Sequence, residues 1–118
     1  MLDYKRRRSH SVELTNEEFG AIVNEFKEKI SHILKSRKEF CLYDLVREDW
    51  TGLKVQQIYD KYRGKEELKE ADNKAIMKKA ALDAGYILKN ILIDDKDHYY
   101  VCKRKRRNGK WNNYYHII

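Results

Sequence analysis

The sequence predicts a small α+β domain in which three to four helices lead into a small antiparallel sheet ending in a basic β-hairpin. Three observations carry that expectation. Apolar residues recur at helical spacing through the first two thirds of the chain, the spacing turns to alternation after Gly85, and Asn108-Gly109 separates two alternating runs. The 118 residues are one domain's length, and 42% apolar with 38% charged residues and no proline suits a helix-rich folded body.

Residues 1–13 lack periodicity and read as a flexible basic arm ahead of a single domain at 14–118. Thr15 and Glu18 have capping-box spacing, and Leu14 and Phe19 sit where a hydrophobic staple would. Phe19, Ile22, Val23, Phe26, Ile30, Ile33 and Leu34 then form one stripe of a helix expected to end near Lys38. Residues 40–49 are expected to begin extended and turn into a short helix at 43–48, broken by Thr51-Gly52. Leu53, Val55, Ile58, Tyr59 and Tyr62 support a second short helix, closed by Gly64. The polar connector KEELKEA leads to Asp72, an N-cap for a helix at 73–84 whose apolar side is Ile76, Met77, Ala80, Ala81 and Ala84. Gly85 is expected to end that helix. Residues 86–93 then read as a strand, 94–97 as a turn, and 98–107 and 110–118 as the two arms of the hairpin.

A two-residue Asn-Gly loop, whose residues tolerate the positive φ of a type I′ turn, fixes the hairpin register. One face pairs Tyr100 with Ile117, Cys102 with Tyr115, Arg104 with Asn113 and Arg106 with Trp111. The other pairs Lys103 with Tyr114, Lys105 with Asn112 and Arg107 with Lys110. The base is aromatic and the tip cationic, and Arg106 is expected to stack on Trp111.

Charge is unevenly distributed. The net +7 comes wholly from the two ends: residues 1–8 hold four basic residues and one acid, and residues 99–118 hold six basic residues and no acid. Such localised excess is the footprint of a site for a polyanion. No run of apolar residues is long enough to cross a membrane and no signal-peptide core follows the charged start, so a cytoplasmic location is expected. Cys41 and Cys102 lack metal-site spacing. Asp94, Asp95, Asp97 and His98 fall within one turn rather than converging from separate elements, and His32 reads as a partly buried packing residue. No phosphate loop or catalytic triad is present. The expectation is a non-enzyme with no cofactor and no metal.

The order of elements, with a last helix running into ALDAGYI and then a basic hairpin, resembles a winged helix–turn–helix. The pieces KKAALDAGYI and KRKRRNGKWNNYYHI look like the helix–wing junction of replication-associated winged helices from phages and plasmids of low-GC bacteria. VQQIYDKYRG is similar to winged-helix appendages of phage-type primase–helicases. The resemblance covers roughly residues 40–118, and the chain departs from it by an inserted helix at 53–63 and a lengthened sheet before the wing. It implies a recognition helix at 73–84 presenting Asn73, Lys74, Lys78 and Lys79, of which Asn73 suits adenine and the lysines suit phosphate or guanine. It implies a wing touching DNA through Lys103, Arg104, Lys105, Arg106, Arg107, Asn108, Lys110 and Trp111, helped by an arm of Lys5, Arg6, Arg7 and Arg8. The implied function is sequence- or structure-specific binding of double-stranded DNA in replication or transcription control of a phage, plasmid or mobile element. Two other readings stand beside it: a protein-docking module for a host or replisome factor, and a binder of RNA or single strands using Trp111, Tyr114 and Tyr115 as stacking platforms. The first helix also offers a surface for a homodimer.

Overall fold

The structure, a computed structural model, describes residues 12–118. The expected arm residues Lys5, Arg6, Arg7 and Arg8 lie outside the described residues. Val12, from the stretch read as arm, is seated in the core at 2% exposure.

The chain runs α1 (Asn16–Ile33), β1 (Glu39–Cys41), α2 (Leu42–Val46), α3 (Gln56–Arg63), a short 3₁₀ turn (Glu66–Leu68), α4 (Asn73–Asp94), β2 (Tyr100–Arg107) and β3 (Lys110–Ile117). This α+β order, with four helices and a small antiparallel sheet, is compatible with a winged-helix layout. α1 starts as expected: Thr15 Oγ1 accepts from the Glu18 N–H at 3.0 Å, and Glu18 Oε1 accepts from the Thr15 N–H at 2.9 Å. It stops at Ile33, ahead of the polar run Lys35, Ser36, Arg37 and Lys38, and its core face is Ile22, Phe26 and Ile30. His32, expected to be partly buried, is exposed in the last turn. A carboxylate from α1 makes up for the missing side-chain cap of α3: Glu25 accepts from the N–H groups of Lys54 and Val55, at 2.8 and 3.2 Å.

The largest departure is in α4. Asp72 caps it as anticipated, its Oδ1 accepting from the Ala75 N–H at 2.8 Å. The helix does not stop at Gly85, however, and residues 86–93 are helical rather than a strand. Ile76, Ala80 and Ala84 are followed by Ile87, Leu88, Ile91 and Leu92, all buried, so the 3.6-residue stripe runs on unbroken. A mid-helix glycine costs ~1 kcal/mol. Each large aliphatic buried beyond it contributes ~1.5–3 kcal/mol, and four of them outweigh the glycine.

The sheet has the order β1-β3-β2, antiparallel throughout. Its third strand therefore comes from between α1 and α2, not from residues before the wing. β3 is the central strand, and Phe40 pairs with Tyr115. Phe40, Tyr100 and Tyr115 close the core from the sheet side, with Phe40 edge-on to Tyr100 at a centroid distance of 6.2 Å. No helix among the described residues is long and apolar enough to cross a membrane.

Candidate nucleic-acid interface

The hairpin holds the register that its loop demands. Tyr100 faces Ile117, Cys102 faces Tyr115, Arg104 faces Asn113, Arg106 faces Trp111 and Arg107 faces Lys110. Asn108 and Gly109 have φ of 52° and 77°, the paired positive values of a type I′ turn. The six cations thus stand on two locked strands, with same-face neighbours about 7 Å apart.

The two faces of the wing have different roles. On the face turned to β1 and α2, Lys105 Nζ lies 2.6 Å from Glu39 Oε1, and its ammonium sits over the Tyr114 ring at 5.3 Å. Arg107 reaches Asp44 Oδ1 at 3.7 Å and donates to Tyr114 Oη at 3.4 Å. These contacts tie the cationic tip back to the body. On the other face Arg104, Arg106, Trp111 and Asn113 are exposed beyond the buried Tyr100 and Tyr115. It is Arg104 that covers the Trp111 ring, at 5.5 Å, not the Arg106 expected from direct pairing. In a twisted ribbon the diagonal neighbour on the same face comes within reach of a long side chain. Lys103, Arg106 and Lys110 have no ion-pair partner among the described residues.

Between the wing tip, α2 and α4 lies a groove of about 460 Å³, lined among others by Tyr43, Val46, Arg47, Trp50, Met77, Ala81, Arg107 and Lys110. Apolar side chains line it together with three cations, Arg47, Arg107 and Lys110, and one carboxylate, Glu48. Two guanidinium groups approach the Tyr43 ring, Arg107 at 5.8 Å and Arg47 at 6.0 Å from its centroid. Arg47 caps the C-terminus of α2 with φ 59° and ψ −162°, a region that is almost glycine-only. Its N–H still bonds to the Tyr43 carbonyl at 2.8 Å. Asp44 anchors this corner. Its carboxylate, 6% exposed, accepts from the Cys41 N–H at 2.9 Å and pairs with Arg37 at 2.8 Å. Burial alone would raise its pKa, but the Cys41 N–H and the Arg37 charge win and hold it below the usual carboxylate range.

Comparison with protein-family models, with curated proteins and with solved structures returned no match. The reading of the surface therefore rests on its residues.

Of the residues implied for the recognition helix, Lys74 and Lys78 are exposed one turn apart, beside Met77 and Ala81 of the groove wall. Lys79 is exposed too but lies about 100° further round the helix. Asn73 has its amide oxygen already engaged. Its Oδ1 accepts from Tyr59 Oη at 3.0 Å and from Arg63 at 3.4 Å, bracing the α3–α4 junction. Arg63 also donates to the carbonyls of Leu68, Lys69 and Ala71, which shapes the connector. Tyr115, one of the proposed stacking platforms, is buried at 4%, and Tyr114 is half-covered by Lys105. Sequence reasoning missed Arg47, Tyr43 and Trp50 as groove residues. No sequence signal marks an arginine with positive φ, and none tells which aromatic side chains will line a groove.

Of the residues read as a turn, Asp94 ends α4, and the connection after it is held by Asp95, which accepts from the Asp97 N–H and from Tyr100 Oη and contacts His98 Nδ1, at 2.9, 3.0 and 3.0 Å. No group of three or more His, Cys, Asp or Glu among the described residues is arranged to hold a metal ion.

Proposed function

We propose that this chain binds duplex DNA through its wing, with the groove rim and the outer strip of α4 as flanking contacts. The observation that carries the reading is the wing itself: six cations and no acid on two strands in fixed register, four of them without an ion-pair partner among the described residues. A duplex is a rigid array of negative charge, and cations pre-positioned on a strand pair release its counterions with little ordering cost. Lys103, Arg106 and Lys110 would meet phosphates first. Lys74 and Lys78 would extend the contact along α4, and Arg47 would reach in from the rim. Phosphate contacts of this kind position the protein, while base reading would fall to the α4 strip.

The test is a salt-dependent titration of a short duplex. Each lost phosphate contact lowers the slope of log affinity against log salt by about 0.9, so Lys103→Ala/Arg106→Ala/Lys110→Ala should reduce it by roughly 3. Lys105→Ala should change it less, because Glu39 already engages that ammonium. No affinity at low salt, or an unchanged slope in the triple variant, overturns the reading. The grip of Lys105 and Arg107 on carboxylates favours a second reading, docking on an acidic protein surface. That one predicts a single captured protein that survives nuclease treatment of the lysate.

A further inference from the structure

The wing tip carries one feature that duplex binding by cations does not use. Trp111 is 57% exposed, whereas the other tryptophan, Trp50, is 3% exposed beside the groove. Leaving an indole in water forfeits the stabilisation that burying its large apolar area would bring. Its surroundings are not those of a protein-docking patch. Arg106 stands directly opposite, Asn113 is two residues along the same face and Arg104 lies over the ring at 5.5 Å. Among the described residues the other large exposed apolar groups are Leu82 on α4 and Tyr99 and Ile118 at the base of the hairpin, which is roughly 24 Å away along the strand. An interface core needs contiguous apolar surface, and among the described residues no other large exposed apolar side chain adjoins Trp111.

What does fit is the face of an unpaired nucleobase. Arg104 lies over the indole, and the exposure of Trp111 leaves ring surface on which a base could stack. Arg106 is placed for the adjoining phosphate, and the Asn113 amide offers both a donor and an acceptor to a base edge. Tyr115 and Tyr100 cannot share this role, because both are buried at the base of the same face. We propose that Trp111 makes the wing a reader of unpaired bases next to a duplex, so that the favoured ligand is a duplex carrying a single-stranded tail. The inference rests on the wing being a nucleic-acid surface and adds the substrate class.

Three ligands separate the possibilities: a blunt duplex, the same duplex with a single-stranded tail, and the same duplex with an abasic tail of equal length and charge. Wild-type protein should bind the base-bearing tail about tenfold more tightly than the abasic one, the weight of one stacked base. Tryptophan emission should be quenched by the base-bearing tail alone. Trp111→Ala should bind the base-bearing tail no more tightly than the abasic one, and Trp111→Phe should recover most of the preference. Trp50 emission and the thermal melt check that the exposed substitution leaves the fold intact. Equal wild-type affinity for the two tails, or an undiminished preference in Trp111→Ala, overturns the inference while leaving duplex binding standing. Failure to bind any of the three ligands overturns the wing reading and this inference with it.

Discussion

Arg47 holds its guanidinium at the groove rim on a backbone that a β-carbon disfavours, with φ at 59°. Strain of this kind costs ~1–3 kcal/mol and persists where surrounding structure enforces it. Glycine at this position should therefore raise stability while removing a rim charge. Arg47→Gly is expected to gain about 1 kcal/mol in urea unfolding, part of the relief being offset by the freer unfolded chain. The same variant should bind duplex more weakly, with a salt slope smaller by roughly 1. A variant that loses stability, or gains it without any effect on binding, would show that the strain has nothing to do with DNA. Asp44 gives the corner its pH dependence. Its folded pKa lies below the unfolded value of about 3.9, so between the two the unfolded chain binds more protons and stability rises with pH. The contribution is complete above that window and is lost as pH falls through the folded pKa. Denaturation midpoints at about pH 5 and about pH 3 should accordingly differ less in Asp44→Asn than in wild type.

α4 is the element on which the fold depends most, since one face of it meets the core along nearly its whole length. Gly85 sits inside it, and a β-carbon built there meets nothing within 4 Å. Gly85→Ala should therefore stabilise the protein by ~0.5–1 kcal/mol, read as a higher urea midpoint at unchanged m-value. Loss of stability would mean that the helix breaks at residue 85 after all. The same glycine explains what could and could not be read in advance. Asn-Gly at 108–109 fixed a register, because only one pairing satisfies a two-residue loop, and the hairpin followed residue by residue. Gly85 marked no boundary, because glycine stops a helix only where burial beyond it is weak. Tyr86, Ile87 and Leu88 looked like the start of a strand because a short apolar run reads alike in a strand and in a buried helix. β1 is three residues long and has no period to detect, so its pairing with β3 was illegible although Phe40 was rightly expected to be extended. The wing cations were legible as composition. That Lys105 and Arg107 would be tied to Glu39 and Asp44 was not, because those acids come from a strand and a helix far back in sequence.

On the scale of the whole molecule, the structure keeps its charge and its packing apart along a single hairpin. The base of the wing is core, with Tyr100 and Tyr115 against Phe40, and the cations are gathered towards the tip. The groove lies where the two meet. The strand order β1-β3-β2 also governs the timing of assembly. Phe40 emerges from the ribosome early, but its partner Tyr115 is made only after all four helices. Until β3 arrives, β1 is a strand with no neighbour, and closing a loop that long is the slow part of folding. Helices can gather around α4 during synthesis, yet the wing and the sheet that anchors it form together. A chain halted before Tyr115 would have most of its helices and no place to mount its charges.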